Sequence, residues 1–375
     1  MAPDDKAATY RRSEDSITLV PPASLSQAPG SERCFYTLWG YEEEKTWEDV
    51  PRADLIDSIV PGTGRQDWRL IRPFDILPVV QGAGEERRRI YEGEALRISA
   101  AHIVGPQNRF DRAADHDTIF VQFAGYGLVE TGFGLHEIGP GEALFIPAMC
   151  AHRTIGSRNC RRMEYSVRDR VDVRLDPAKP GLGAPFRVHP DGETQAAEHM
   201  PDRAAPEGGR IREHLYRWDD RPGEDFWFVR THAAMVGGAQ GGRCPVKVSP
   251  FDDFLSSAPP SPKTKAPVRT HLLWENATFR QRIYANPGRQ PAPHRGYDEE
   301  ELWFQMTGPI GMEGEHGAYE MVAGECSMAE AGISHTTISR PGIFRFTTYT
   351  PKQMRLVVEP QDHLRHTRWI VEEVR

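Results

Sequence analysis

Three residues between Pro293 and Ser339 have the side chains and the spacing of a metal site. His294 is followed seven residues later by Glu301, and His335 stands beyond a glycine-punctuated segment. Two imidazoles and one carboxylate on one face of an ion are the ligand set of non-haem Fe(II) centres that keep open coordination positions. The sequence therefore predicts an Fe(II) site on these three residues, with room for a substrate and for O2.

Polar residues beside these ligands are candidates for contact with a substrate. Arg295 and Tyr297 flank the first histidine, and Gln305 follows Glu301 on the same strand face at a period of two. We expect Arg295, Tyr297 and Gln305 to serve catalysis, although a core amide that only satisfies its own hydrogen bonds explains Gln305 about as well. Trp303, on the same face, is more typical of core packing.

The neighbouring strands carry further polar side chains. Glu300 lies on the face opposite Glu301, so alternation predicts an outward, solvated carboxylate. Two other strands alternate arginine with tyrosine or threonine on one face, and each either faces solvent or lines a polar cavity for an acidic substrate. The residues concerned are Arg280, Arg282, Tyr284, Arg345, Thr347 and Tyr349.

The composition argues against several classes of function. The 375 residues carry a formal net charge of -8, without the basic signature of nucleic-acid binding. No apolar run approaches the roughly 18 residues that span a bilayer, and the charged N-terminus lacks the apolar core of a signal peptide. Five scattered cysteines, an odd number, favour a reducing compartment over a disulfide framework. We expect a cytoplasmic protein that binds neither nucleic acid nor membrane.

The same chain reads as strand-rich with two similar halves. Its 31 prolines and 34 glycines favour short strands joined by turns, and alternating apolar and polar runs recur along it. The segment GEALFIP at 141–147, followed by His152, parallels GECSMAE at 324–330, followed by His335. This repeat, 183 residues apart (335 against 152), predicts an internal duplication of a β-barrel.

These residues resemble the two motifs of the cupin superfamily, G-x5-H-x-H-x(3,4)-E-x6-G and G-x5-P-x-G-x2-H-x3-N. The second half matches at His294, Glu301 and His335, while Gly296 stands at the second histidine position. The matching glycines are Gly288, Gly308, Gly324 and Gly332; Glu330 replaces the proline and Ser339 the asparagine. The reduced ligand set resembles that of homogentisate dioxygenase and its hydroquinone-cleaving relatives, although Ala329 stands where those enzymes have a histidine.

The resemblance implies an all-β fold of two jelly-roll barrels, a bicupin, with few short helices. We predict an arm with accessory strands at 1–94, a first barrel at 95–170, a linker at 171–225 and a metal-bearing barrel at 226–375. In the first barrel Asp111, Thr118 and His152 occupy the three ligand positions. One imidazole does not hold a metal, so this barrel is predicted to be degenerate, unless His116 and Asp115 build a nonstandard site.

The implied function is that of an Fe(II)-dependent dioxygenase that cleaves the ring of a hydroquinone- or catechol-like compound with O2. Its partners are then a small aromatic substrate, O2 and, given the duplication and the N-terminal arm, further copies of the chain. Two alternatives remain open. One is a Zn- or Mn-dependent cupin isomerase, lyase or decarboxylase, and the other is a non-catalytic bicupin that binds a small ligand.

Overall fold

The structure is a computed structural model. It describes strand-forming segments of the N-terminal region and most of the two halves, namely residues 10–11, 18–19, 31–37, 46–51, 70–174, 210–217, 226–231, 243–250, 269–285, 288–289, 294–296, 298–314, 317–339 and 342–358. The regular structure of these residues is made of β-strands. None of the helices among the described residues has the length and apolar character needed to cross a membrane.

The strands follow one another along the chain as short elements separated by turns. Up to the end of the first half they are β1 Tyr10–Arg11, β2 Thr18–Leu19, β3 Ser31–Thr37, β4 Thr46–Pro51, β5 Gly84–Gly93, β6 Leu96–Pro106, β7 Phe110–Ala113, β8 His116–Ala124, β9 Gly127–Thr131, β10 Gly134–Ile138, β11 Ala143–Ile146 and β12 His152–Arg168.

The second half continues the same pattern. Its strands are β13 Asp172–Val173, β14 Arg210–Tyr216, β15 Phe226–Thr231, β16 Val246–Val248, β17 Arg269–Asn276, β18 Phe279–Ala285, β19 Gly288–Arg289, β20 His294–Gly296, β21 Glu300–Gln305, β22 Ile310–Gly314, β23 Gly317–Met321, β24 Cys326–Ala329, β25 His335–Ser339, β26 Arg345–Thr350 and β27 Met354–Leu356.

The first barrel, β5 to β12, is organised around the long strand β12. The second part of β12 pairs with β6 and β8, and its first part pairs with β9 and, at His152, with β7. A bulge between Gly156 and Cys160 separates the two parts, so that one strand serves two sheets. A glycine is needed at the bend because a Cβ on Gly156 would lie 2.1 Å from the carbonyl oxygen of Ile103.

The second barrel, β17 to β26, repeats this pairing in register. β26 lies between β18 and β21, β21 pairs with β24, and β25 pairs with β22. His335 faces His294 as His152 faces Asp111, and opposed residues elsewhere keep the same offset of 183 (335 against 152). The predicted duplication and the all-β, two-barrel fold class are confirmed.

The register offset extends even to an irregularity of the first hairpin. In β5 the pairing with β6 shifts between Arg89 and Tyr91, and in β17 the pairing with β18 shifts between Leu272 and Trp274. The two bulges are also 183 residues apart. The two barrels therefore share their backbone plan strand by strand, and their differences lie in the side chains.

Each barrel pairs with strands that lie outside its own run of strands and next to the other barrel in the sequence. β13, which follows the first barrel, pairs with β17, and β27, which follows the second, pairs with β5. In the same reciprocal way β16 pairs with β11, and Ile71 bridges Cys326 in β24. Each barrel also gains one parallel strand beside the strand that holds its first motif position: β3 pairs with β20, and β14 pairs with β7.

These exchanges bear on the predicted domain limits. β13 and β14 lie within the predicted linker. β15 and β16 lie within the predicted second barrel, which begins at residue 226, but they belong to the sheet of the first barrel. The predicted N-terminal arm supplies β3 to the sheet of the second barrel. The limits themselves stay a prediction, since the pairing shows only that segments are shared across them.

One hydrophobic core joins the two barrels. It includes Val121 and Phe145 from the first barrel and Trp274 and Phe304 from the second. The rings of Phe145 and Trp274 stack with centroids 5.9 Å apart. Burying a large apolar side chain contributes about 1.5–3 kcal/mol, so the contact between the halves adds substantially to the stability of both.

Candidate metal centre

The three predicted ligands meet at one end of the second barrel. His294 on β20 faces His335 on β25, and Glu301 reaches them from β21. The Nε2 atom of His335 lies 3.2 Å from Oε2 of Glu301, and Nε2 of His294 lies 3.7 Å from the same oxygen. A ligand atom from each residue lies within 4.8 Å of the other two. Within the described residues, these three form the group of His, Cys, Asp or Glu side chains whose ligand atoms lie this close together.

The turn before β25 orients His335. Gly332 adopts a left-handed conformation with φ 86°, and its N–H donates to the carbonyl of Gly296 at 2.6 Å. The Nδ1 atom of His335 lies 3.1 Å from the carbonyl oxygen of Ile333. A carbonyl only accepts, so Nδ1 carries a proton, and Nε2, on the side of Glu301, is the nitrogen that would coordinate a metal ion.

The carboxylate of Glu301 is held through its other oxygen. The indole N–H of Trp303 donates to Oε1 at 2.6 Å, and the hydroxyl of Tyr349 donates to the same atom at 3.2 Å. The hydroxyls of Tyr349 and Tyr284 lie 2.9 Å apart, and Tyr284 donates to Tyr349 while Tyr349 donates to Glu301. Oε2 is thereby turned toward the two imidazoles. Sequence reasoning treated Trp303 as core packing and left Tyr349 undecided; counting the antiparallel register from Glu301, which opposes Tyr349, would have identified the second contact.

Electrostatics favour an anionic Glu301 beside a neutral His294. Burial by itself raises the pKa of Glu301, but His335 and hydrogen bonding with both imidazoles hold that pKa well below its usual range. Burial and the neighbouring His335 lower the pKa of His294 to about 4. These are the protonation states in which a carboxylate and an imidazole bind a metal ion.

Gly296 has a local reason to lack a side chain. A Cβ at this position would lie 2.4 Å from Cγ and 2.8 Å from Oε1 of Glu299. Glu299 is buried, so its side chain fills the place that a second motif histidine would take. The candidate ligands that the structure brings together here are two imidazoles and one carboxylate.

The prediction for Glu300 was wrong. This side chain is buried, and its Oε2 accepts the backbone N–H of Met354 at 2.7 Å. Burial raises the pKa of Glu300 to about 7. The outward face of β21 does not meet solvent, because the residues leading into β27 cover it.

The predicted role of Gln305 finds no support among its contacts. Its side-chain amide donates to the carbonyls of Thr307 at 2.6 Å and Gly308 at 3.3 Å, which braces the turn after β21. Gln122, 183 residues earlier, braces the corresponding turn of the first barrel at 2.7 and 3.3 Å. A contact shared by both barrels is structural, and the catalytic role of Gln305 stays a prediction.

The other two predicted catalytic residues cannot be placed by their side chains. Arg295 contributes its backbone to β20, where it opposes Tyr36 in β3. The side chain of Arg295 and all of Tyr297 lie outside the described residues. Their catalytic roles also stay predictions.

Two strands left undecided by the sequence belong to the interior. Arg345 is buried with its guanidinium 5.1 Å from the centre of the Tyr284 ring, and these two residues oppose each other in β26 and β18. Burial lowers the pKa of Arg280, with Arg282 adding to the effect. For these faces of β18 and β26, the contacts favour a polar interior over a surface that faces solvent.

The first barrel carries a different set at the same three positions. Asp111 opposes His152, whose Nδ1–H donates to the carbonyl of Cys150 at 3.1 Å just as His335 does in the second barrel. Thr118 stands in place of the glutamate, and Asp111 is bound by Arg109 at 3.1 Å. The residues considered for a nonstandard site, His116 and Asp115, contact each other at 2.9 Å.

Comparison with known proteins gives distant structural similarities. No family model matches the chain, and no curated protein sequence matches it. A cupin 2 conserved barrel domain protein from Leptotrichia buccalis is similar with a TM-score of 0.45 and 11% identity, over 76% of this chain and 98% of that one.

Two further solved structures are similar at the same level. A putative glyoxylate induced protein from Pseudomonas aeruginosa has a TM-score of 0.46 and 11% identity over 79% of this chain and 93% of its own. A deletion mutant of Bacillus subtilis oxalate decarboxylase has a TM-score of 0.44 and 13% identity, over 84% of this chain and 88% of its own. All three TM-scores are below 0.5, so the description of the fold rests on the strand pairing of this chain itself.

Proposed function

We propose that this chain is a metal-dependent cupin enzyme, an Fe(II) dioxygenase that cleaves the ring of a hydroquinone- or catechol-like aromatic with O2. The observation that carries the proposal is the convergence of His294, Glu301 and His335, with Glu299 packed where a further histidine would stand. Two imidazoles and one carboxylate leave several coordination positions for reactants, as in non-haem Fe(II) oxygenases.

The donor atoms fit a single ion. Two ligand atoms that each lie about 2.1 Å from one ion are roughly 3.0–3.6 Å apart at angles between 90° and 120°. The spacings of 3.2 and 3.7 Å between Oε2 of Glu301 and the two Nε2 atoms are close to this range. His294, Glu301 and His335 are therefore the residues that would hold the iron.

When bound, Fe(II) would supply the redox chemistry that couples an aromatic diol to O2. The surrounding residues prepare the site for that role. Trp303 and Tyr349 fix the orientation of Glu301, and burial keeps water away from the ligands. Glu299 provides a buried carboxylate beside Gly296, which we assign as the acceptor of the phenolic proton when the substrate binds.

Cellular context forms part of the proposal. Cys150, Cys160, Cys244 and Cys326 are free thiols, and all of these but Cys244 are buried, which supports a reducing compartment such as the cytoplasm. We also propose a homo-oligomer and a small aromatic substrate. Size-exclusion chromatography with light scattering tests the first of these, and a screen of diphenols and hydroxybenzoates tests the second.

Metal analysis combined with oxygen uptake tests the function directly. Protein purified without added metal should contain iron near one equivalent, and its Fe(II)-loaded form should consume O2 with hydroquinones or catechols. Zinc or manganese without oxygen uptake would contradict the dioxygenase and favour an isomerase, lyase or decarboxylase. No bound metal would contradict both.

A substitution at Glu301 provides the matched test. Glu301→Gln keeps the shape of the side chain but removes the charge that attracts the ion, so metal content should fall severely and activity by at least about 100-fold. Glu300→Gln is the control, because Glu300 contacts Met354 rather than the imidazoles. Equal metal content in Glu301→Gln and the wild type would show that the three residues do not form the site.

A further inference from the structure

The first barrel contains a polar cavity at the place that corresponds to the metal centre. Its volume is about 120 Å³. This is well below the roughly 300–1,000 Å³ of sites for drug-sized ligands, so only a small molecule fits. Asp111, His152 and Thr118, the residues at the former ligand positions, all line it.

The cavity exists because small hydroxyl side chains replace large ones in the shared register. Thr118, Ser166 and Ser99 occupy the positions that Glu301, Tyr349 and Arg282 hold in the second barrel, as the strand pairings show. All three hydroxyl residues line the cavity. The first barrel has therefore exchanged a metal carboxylate for open space and hydrogen-bonding groups.

The carboxylates of this cavity are already bound by arginines. The carboxylate of Glu164 lies 2.8 Å from the guanidinium of Arg162 and 2.7 Å from that of Arg87. The carboxylate of Asp111 lies 3.1 Å from the guanidinium of Arg109 and 3.6 Å from that of Arg87. Both carboxylates are buried, so they form a rigid and largely neutralised end of the cavity.

The remaining arginines give the cavity an excess of positive charge. Arg89, Arg97 and Arg217 also line it, and the first two contact Glu92, at 2.6 and 3.5 Å. With Arg355, which lies 2.9 Å from Glu92, three guanidinium groups thus share one carboxylate. The side chains of Arg89 and Arg97 are more exposed, at 45% and 17%, than that of Asp111 at 3%, which places them toward the open end.

We propose that the first barrel is a second, metal-independent binding site for a small hydroxylated monocarboxylate. The carboxylate pairs with the guanidinium groups of Arg97 and Arg89, whose planar forks match its geometry. The hydroxyl end is received by Thr118 and Ser166 and donates toward Asp111. A dianion such as phosphate is disfavoured, because its acceptor oxygens at the inner end would meet the carboxylate oxygens of Asp111 and Glu164, which have no proton to donate.

Isothermal titration calorimetry of the full-length protein, without added metal, tests this site. The probes are glycerate, propionate as the acid without hydroxyl groups, and inorganic phosphate. Glycerate should bind with one equivalent per chain, at least several-fold tighter than propionate and than phosphate, and more weakly at high salt. Absence of glycerate binding, or tighter binding of phosphate, would overturn the proposal.

Substitutions locate the binding in the first barrel. Thr118→Glu introduces the side chain that the second barrel has at this position, and Thr118→Gln has almost the same volume without the charge. The glutamate variant should bind glycerate about tenfold more weakly than the glutamine variant, because a third carboxylate repels the anion. Equal affinities in the two folded variants would contradict the proposal.

Two further variants separate this site from the metal centre. Arg97→Gln should weaken glycerate binding about tenfold or more, through loss of a charge-assisted hydrogen bond. Glu301→Gln, in the second barrel, should leave glycerate affinity unchanged. Loss of glycerate binding in Glu301→Gln but not in Arg97→Gln would place the ligand at the metal centre and refute a second site. Circular dichroism confirms that each variant is folded.

Discussion

The two oxygens of Glu301 have different partners. Oε1 accepts hydrogen bonds from Trp303 and Tyr349, whereas Oε2 faces the imidazoles of His294 and His335. Fixing one oxygen of a ligating carboxylate positions the other, and such outer contacts influence metal affinity by about 10–100-fold. The residues that hold Glu301 are therefore expected to matter for metal retention without touching the ion.

Trp303→Phe tests this expectation. The substitution removes the indole donor but keeps an aromatic ring, and the first barrel shows that the register accepts it, since Phe120 lies at the same place with its ring 5.5 Å from His152. Metal affinity, measured by competition with a chelator, should fall about 10–100-fold while the melting temperature of the metal-free protein changes little. Phe120→Trp is the control and should leave metal affinity as it is; unchanged affinity in Trp303→Phe would contradict the role.

Buried histidines of the first barrel make stability depend on pH. Burial, followed by the effect of Lys247, lowers the pKa of His136 to about 3, and burial lowers that of His152 to about 4. Unfolded histidine titrates near pH 6.5, so between about pH 6.5 and 4 the unfolded chain binds protons that the folded chain does not. The contribution of these two histidines to the free energy of unfolding is fully present above pH 6.5 and is lost as the pH falls through this window.

His136→Gln should reduce that dependence. One titrating group is removed, so the free energy of unfolding should fall less steeply between pH 6.5 and 4.5 than in the wild type. Urea unfolding at pH 7.5, 6.5, 5.5 and 4.5 measures the slope. A slope equal to or steeper than that of the wild type would show that His136 is not neutral in the fold.

The sequence was sufficient to single out His294, Glu301 and His335, which the structure brings together, and insufficient for what surrounds them. His294, Glu301 and His335 are recognisable because their spacing is set by local turns and by strand alternation. The contact of Tyr349 with Glu301 depends on cross-strand register, which no local pattern reveals. Glu300 was misassigned because alternation gives the face of a strand but not what covers that face.

At the scale of elements, the main feature is that strands next to one barrel in the sequence pair with the other barrel. β27 lies against β5 of the first barrel although it follows the second, and β13 does the converse. Strand pairs this far apart along the chain leave no short-range signal, so composition predicted a linker where the structure places strands. The glycine-rich turns and short alternating runs, in contrast, were sufficient to predict the strands within each barrel.

Met354→Ala tests the contribution of the exchanged strand. Met354 is buried in the shared core, and Glu300 accepts its backbone N–H. Loss of the side chain should lower the free energy of unfolding by about 2–4 kcal/mol through the cavity it leaves. Urea denaturation gives the value. Arg355→Ala, which removes an exposed contact with Glu92, should change it by less than about 1 kcal/mol, and similar effects of the two variants would argue against a buried β27.

At the scale of the whole molecule, the shared core couples the two halves. Phe123 of the first barrel packs on Phe304 of the second with ring centroids 5.8 Å apart, beside the stacked pair of Phe145 and Trp274. The duplication itself was predictable from the repeated motif. The extent of contact between the copies was not, because a core face looks the same in sequence whether it meets its own barrel or the other.

We expect the two barrels to unfold together. Scanning calorimetry should give one transition, and substitutions in either half should move it as a whole. Val121→Ala and Phe304→Leu, at corresponding positions of the two barrels, provide the pair, each expected to cost about 1–3 kcal/mol. Two separable transitions, each sensitive to only one substitution, would show that the exchanged strands do not couple the halves.

The constant register offset has a consequence for how such a chain diverges. A one-residue insertion within a strand would turn every following side chain to the opposite face, so length is constrained throughout both barrels. Side-chain identity is not constrained in the same way, as Asp111 against His294 and Thr118 against Glu301 illustrate. The backbone is thus a fixed frame in which one copy has a candidate metal site where the other has an arginine-lined interior, without a change of fold. New chemistry in this molecule needs only point substitutions.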